Sequence, residues 1–178
     1  MAQRVALPGL KWARALRRQL RHLRRWFLWR ERFLWLRAEL QALPQEQALF
    51  PVRCYSFGER ALFLQHLASE QAQRLARLWE ALPQSWVFAA SDTDTPVAYY
   101  CFVTVGTVWI DEFGIRRHFD AGEAYVHTCY TIPSHRGRGF HRQTLQTVCT
   151  VLRQRGFRRA YAVVSCLLYT SPSPRDRQ

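Results

Sequence analysis

The stretch Thr131–Leu145, TIPSHRGRGFHRQTL, restricts this chain more than any other. Pro133 ends an extended, β-branched run, and residues 139–156 carry helical spacing up to Gly156. Between them, Gly137 and Gly139 allow positive φ and close approach of the backbone to a ligand. A helix opening there presents its first free N–H groups and its positive dipole end to an anion. Arg136 and Arg138 add charge-assisted donors at the same place. The natural ligand of such a loop is a pyrophosphate.

The Walker pattern G-x-x-x-x-G-K-[ST] does not occur in the sequence. The dinucleotide pattern G-x-G-x-x-G would need its third glycine at Arg142, and it would have to open a parallel β-α-β series. The segments before the loop are of another kind. VRCYSF (52–57) reads as a strand, and ERALFLQHLASEQAQRLARLWEAL as helix in two pieces broken near Ser69 and stopped at Pro83. SWVFAAS (85–91) and VAYYCFVTVGTVWI (97–110) read as a hairpin around the turn DTDTP. DEFGIRRHFDAG is a loop or second hairpin, EAYVHTCYTIP (123–133) a strand, and RRAYAVVS (158–165) a further strand.

This order, with Arg136-Gly137-Arg138-Gly139-Phe140-His141 after a strand ending Cys129-Tyr130-Thr131-Ile132-Pro133, resembles motif A of the GNAT superfamily of acyl-CoA-dependent N-acetyltransferases. That motif is written [QR]-x-x-G-x-[GA], after a strand of the form L-x-V-x-P. His141 stands where the motif has Gly or Ala, and Thr131 where it has Val. The resemblance covers residues 52–164 and implies an α+β fold, a mixed and largely antiparallel sheet flanked by helices in three layers.

The resemblance further implies acetyl-CoA as co-substrate, with no metal, and a small-molecule or peptide amine as acceptor. The backbone of Cys129, Tyr130 and Thr131 would run beside the pantetheine arm. The amides of Arg138, Gly139, Phe140 and His141, with Gly137 and the Arg136 and Arg138 side chains, would hold the pyrophosphate. Direct attack of an amine on a thioester needs a base and an oxyanion donor. Glu123 is the first choice for base, directly or through water, and His127 the second. Strict strand alternation puts both on one face with Tyr125, Cys129 and Thr131. Asp111 and Glu112 are candidates for holding a cationic acceptor.

Charge is concentrated at the other end. Residues 1–43 hold eleven basic and two acidic side chains, within a net charge of +13. Between Lys11 and Leu43 there is no Gly or Pro, and Trp12, Leu16, Leu20, Leu23, Phe27, Leu34 and Leu40 form an apolar stripe. The spacing predicts one amphipathic helix over 11–43, followed by a linker at 44–51. Such a helix suits an anionic membrane surface, or packing on its own domain or a second subunit; nucleic acid comes third, because no recognition motif accompanies the charge. The alternatives to an enzyme are a peripheral membrane or nucleic-acid binding module using this extension, or a pseudoenzyme that binds acyl-CoA. The five cysteines show no C-x-x-C pair and no zinc spacing, and no run of eighteen apolar residues exists. The expected setting is cytoplasmic, with the inner membrane surface as a possible peripheral site.

CLLYTSPSPRDRQ (166–178) departs from the domain's pattern and reads as a translated sequencing adapter. On that reading the frame is cut near Val164, the last helix and strands of the fold are missing, and the strand at 158–165 is left as an exposed edge.

Overall fold

The computed structural model describes residues 33–42 and 49–165. The elements are β1 (Phe33–Glu39), a 3-10 turn (Leu40–Ala42), β2 (Val52–Tyr55), a second 3-10 turn (Phe57–Glu59), α1 (Arg60–Leu64), α2 (Ser69–Ala81), β3 (Trp86–Asp92) and β4 (Thr95–Thr104). They continue with β5 (Gly106–Ile110), β6 (Ile115–Phe119), β7 (Glu123–Thr131), a 3-10 turn (Pro133–His135), α3 (Phe140–Gln154) and β8 (Arg159–Ser165). Six strands form one sheet in the order β1-β8-β7-β4-β3-β2, and β5 with β6 forms a two-stranded sheet of its own. The pairs β2–β3, β3–β4 and β4–β7 are antiparallel, and β7–β8 is parallel across the α3 crossover. This is the expected mixed α+β architecture.

The chain divides into two compact units. The larger holds residues 35–108 and 117–163 and contains β7 and the glycine loop, whereas Asp111 and Glu112 belong to the smaller. In the smaller, Gly114 at φ 64° closes a turn by donating its N–H to the Ile110 carbonyl (2.9 Å), and the Trp109 indole N–H bonds Asp111 (2.9 Å). The expected acceptor role of Asp111 thus meets an indole already bonded to its carboxylate.

Apolar cores flank the large sheet on both sides. Strand β4 is buried almost throughout, as a central strand covered on both faces must be. One face packs under α3 through Phe88, Tyr99, Cys101, Phe140, Val148 and Leu152. The other packs under α1 and α2 through Phe63, Leu75, Trp79, Val87, Tyr100 and Phe102. Trp79 is fully buried, yet its indole N–H is satisfied by the Ser85 carbonyl at 3.0 Å.

Three sequence expectations are corrected. The helix expected over 11–43 does not extend across 33–42, where the chain forms β1 and a 3-10 turn; residues 11–32 and 43 lie outside those described. In FLWLRAE, apolar residues fit both helical spacing and alternation, and aromatic residues favour strand. Packing decides: Trp35 stacks on Phe119 and Tyr125 at centroid distances of 6.1 and 6.0 Å. Second, the β8 edge is not left open, because β1 lies beside it and Leu40 N–H bonds the Arg158 carbonyl at 2.9 Å. Third, the strand expected over 97–110 is interrupted before Gly106, whose φ of 72° starts β5 in a different sheet. The linker residues 44–48 and the tail 166–178 also fall outside the described residues.

Candidate functional site

The glycine loop has the backbone that its sequence requires. Gly137 and Gly139 adopt φ of 77° and 86°, and Gly139 caps α3. The first helical bond runs from the Gln143 N–H to the Gly139 carbonyl at 3.1 Å, so the amides of Gly139, Phe140 and His141 precede it and have no partner within the helix. A Cβ built on Gly137 would meet no protein atom within 4 Å. That is the open approach an anion needs. His141 lies inside the first helical turn.

Not every side chain expected in the cradle faces it. The Phe140 ring is buried and stacks on Phe50 at 4.0 Å, leaving only its amide for a ligand. The Arg138 guanidinium donates to Asp92 at 2.8 Å, and His135 lies 3.3 Å from the same carboxylate. Thr93's backbone N–H first, then Arg138, hold the Asp92 carboxyl below its usual range. Arg136 reaches back to the Thr131 carbonyl at 3.5 Å. His141 accepts or donates through Nδ1 with the Tyr99 hydroxyl at 3.0 Å.

Strand β7 carries the second part of the site. It pairs with β8 only from Glu123 to Val126, opposite Arg159 to Ala162. On its other side it pairs with β4, but the register slips between Tyr100 and Phe102. Phe102 faces His127 and Tyr100 faces Tyr130, so Thr128 and Cys129 together oppose Cys101. This is a β-bulge, and Thr128 pays for it with φ of 51°, a strained value for a β-branched residue. The bulge changes which residues share a face. Glu123, Tyr125, His127 and Tyr130 lie on one side, while Cys129 and Thr131 turn to the side of Tyr99 and α3. The expectation of one face running from Glu123 through Thr131 fails there, because one inserted residue inverts the alternation. Tyr130 packs its ring near Tyr100 at 5.6 Å, so a ligand beside β7 meets its backbone alone.

Past His127, the β8-side edge of β7 has no strand partner among the described residues. Its backbone groups are therefore available to an extended ligand, which would pair as an added strand. The same edge leads directly into the glycine loop.

The two expected catalytic side chains sit in different environments. Glu123 is 7% exposed and accepts from the Tyr161 hydroxyl (2.9 Å), Arg159 (3.2 Å) and the Asp120 amide (3.3 Å). Burial pushes its carboxyl up, but these hydrogen bonds outweigh it and hold the group below the usual carboxylate range. His127 lies at the bulge with Nε2 2.7 Å from the Thr104 hydroxyl and Nδ1 2.8 Å from the Thr128 hydroxyl. Burial lowers its pKa to about 4, so the ring is neutral at pH 7. Thr104 continues to the Ser85 hydroxyl at 2.6 Å, making a buried chain of polar groups that ends at the bulge.

Sequence reading missed several of these partners. Tyr161 and Arg159 come from β8, Thr104 from β4 and Asp92 from the β3–β4 turn. Parallel pairing of Glu123 with Arg159 sets the first two, and no local pattern encodes that pairing. Asp92 was visible only as a turn residue.

Comparisons with known proteins bear on the family and the fold. The model of the acetyltransferase (GNAT) family matches residues 20–169. Among solved structures, a GCN5-related N-acetyltransferase from Sphaerobacter thermophilus superposes with a TM-score of 0.52 at 16% identity, covering 82% of this chain and 45% of that one. This likeness shows a shared fold, and the chain spans less than half of that relative's length. A predicted acetyltransferase from Clostridium acetobutylicum, solved with acetyl-CoA, matches with a TM-score of 0.41 at 12% identity over 73% of this chain and 94% of that one. An aminoglycoside acetyltransferase from an uncultured soil metagenomic sample, solved with trehalose, gives 0.47 at 12% over 72% and 90%. No curated protein matches the sequence. With a family match over most of its length, the chain belongs to the GNAT family of acetyltransferases.

Proposed function

We propose that this protein transfers an acetyl group from acetyl-CoA to an amine. The single observation that carries the reading is the continuity of two features: the unpaired edge of β7 beyond His127, and the glycine loop with the start of α3 into which it runs. A molecule with an extended amide-bearing arm joined to a pyrophosphate matches both. The backbone at Cys129, Tyr130 and Thr131 pairs with the arm, and the amides of Gly139, Phe140 and His141 take the phosphates. Arg136 adds positive charge, and Arg138 contributes once it leaves Asp92.

The chemistry begins with an amine lone pair attacking the thioester carbonyl. The C–N bond forms, the carbonyl oxygen gains charge, and collapse breaks the C–S bond and expels the thiolate. The amine must first lose a proton. Glu123 is ionised at neutral pH, and its low pKa makes it a weak acceptor that works best through water with the proton passed on to solvent. His127, neutral and fixed by two hydroxyls, sits nearer the open edge and is the second acceptor. The two lie four residues apart along β7, about 13 Å.

The acceptor is a small-molecule or peptide amine. In this reading the arginine-rich extension rests on an anionic membrane surface on the cytoplasmic side, and its charge pattern supports that placement. Co-sedimentation with anionic rather than neutral vesicles is the expected outcome. The transfer itself is tested by following free thiol release from acetyl-CoA across a panel of primary amines. Release that depends on one class of amine is expected. CoA binding with no amine-dependent release would leave the chain as a CoA-binding protein without turnover.

A further inference from the structure

Four polar side chains form a line that ends at the bulge. Ser85 Oγ lies 2.6 Å from Thr104 Oγ1, Thr104 Oγ1 lies 2.7 Å from His127 Nε2, and His127 Nδ1 lies 2.8 Å from Thr128 Oγ1. Ser85 is 1% exposed and Thr104 wholly buried, whereas His127 and Thr128 are half-buried. The inner end is anchored: the Ser85 carbonyl accepts from the Trp79 indole, and the Ser85 amide donates to the Leu82 carbonyl. At the outer end the His127 ring stacks on Tyr125 at 5.1 Å, with planes 10° apart, which fixes where both nitrogens point.

The number of hydrogens gives this line a direction. A neutral imidazole carries one N–H, and each hydroxyl one O–H. Burial keeps His127 neutral at pH 7, so the count holds. Started from Ser85, the line runs Ser85 hydroxyl to Thr104, Thr104 hydroxyl to Nε2, and Nδ1–H to Thr128. Every buried hydrogen then has an acceptor, and the free hydroxyl is that of Thr128, beside the unpaired edge of β7. In reverse, Nε2–H donates to Thr104 and Thr104 to Ser85, whose own hydroxyl is left sealed from water with no acceptor among the described residues. An unpaired buried donor is costly enough to disfavour the reverse direction by about tenfold or more.

We propose that Thr128 is a catalytic hydroxyl that donates a hydrogen bond to the thioester oxygen, and that Thr104 is a positioning residue that holds the His127 proton on Nδ1. The inference rests on the acyl-CoA reading of the site and deepens it. With the arm along Cys129, Tyr130 and Thr131, its sulfur end falls at Thr128. From there to Pro133 the chain rises about 17 Å, on the scale of the arm between the CoA sulfur and its pyrophosphate. As the amine attacks, the C–N bond forms and the carbonyl π pair moves onto oxygen, where the Thr128 hydroxyl meets it without giving up its proton. The pair returns as the C–S bond breaks, and the bonding electrons leave with sulfur. Accepting from Nδ1–H polarises the Thr128 hydroxyl and makes it a stronger donor. The same tautomer decides between the two proton acceptors. Nδ1 carries its hydrogen and Nε2 is filled by Thr104, so the amine's proton goes to Glu123 through water.

Three readouts on the full chain test this. Nitrogen-labelled histidine reports the tautomer by NMR: His127 should be the Nδ1–H form, and Thr104→Val should lose that preference. Isotope-edited infrared of bound acetyl-CoA reads the hydrogen bond without turnover: the thioester carbonyl stretch should lie lower on wild type than on Thr128→Val. In amine-dependent turnover, Thr128→Val should lower kcat by about 10²–10³-fold with KM for acetyl-CoA little changed, and Thr128→Ser should recover most of the loss. Valine keeps the β-branch at this strained position, so equal melting temperatures exclude misfolding as the cause. An Nε2–H ring, or the same carbonyl stretch on wild type and Thr128→Val, overturns the proposal. If Thr128→Val turns over like wild type, the proposal falls and the functional reading stands. If acetyl-CoA does not bind at all, both fall.

Discussion

Replacing Gly137 by alanine separates ligand binding from backbone strain, because the fold contains a matched control. Gly137 has φ of 77° and Gly156 has φ of 84°, and a Cβ built at either position meets no protein atom within 4 Å. Each alanine therefore carries the same penalty for left-handed backbone, about 1–2 kcal/mol. At about 2–4 °C per kcal/mol for a chain of this size, both variants should melt about 2–8 °C lower. Only Gly137 lies in the loop. Gly156 is beyond the far end of α3, whose 15 residues span about 22 Å. The Cβ at 137 meets open space that the pyrophosphate would fill, so Gly137→Ala should lose CoA affinity at least about tenfold, or about 1.4 kcal/mol. Gly156→Ala should keep wild-type affinity. Calorimetric titration and thermal melts on the three proteins measure both quantities. Wild-type affinity in Gly137→Ala, or an equal loss in Gly156→Ala, would refute the reasoning.

Other consequences are open to simpler tests. Asp92→Asn removes the carboxylate that holds Arg138 2.8 Å away, so CoA should bind a few-fold tighter at low salt, with the gain fading as salt rises. Tyr161→Phe removes a hydrogen bond to buried Glu123 and should cost about 1.5 kcal/mol at pH 7 in urea unfolding. Because the folded pKa of Glu123 is depressed, that stabilisation is present above the unfolded carboxylate pKa and is lost as pH falls through the folded value. The wild-type and variant curves should thus converge toward acid pH. Trp35→Ala removes the ring stacked on Phe119 and Tyr125, and should lower stability by about 3 kcal/mol if β1 belongs to the sheet. No change in melting would place residues 33–39 elsewhere.

The parts of the site that the sequence made visible are those whose chemistry is local. Proline fixes φ and glycine permits positive φ at little cost, so the strand end at Pro133 and the loop at Gly137 and Gly139 could be read directly. The hairpin around Asp92 and the helix under the sheet followed from composition and period. Strand β1 could not be separated from a helix, since FLWLRAE satisfies both periods and only the β8 edge and the ring of Tyr125 favour strand. The bulge at Thr128 was hidden for a different reason: a threonine at positive φ has no local signature, and it exists because β4 and β7 slip by one residue. Everything downstream of that slip was hidden with it. The face change at Cys129 depends on register, which a single strand does not encode.

Hydrogen exchange of the full chain, with and without acetyl-CoA, tests the central claim most directly. The account predicts slowed exchange in peptides covering residues 127–141, where the free edge of β7 and the amides of Gly139, Phe140 and His141 would gain partners, with β2 and β3 unchanged. No protection at saturating acetyl-CoA, or protection confined to other elements, would contradict it.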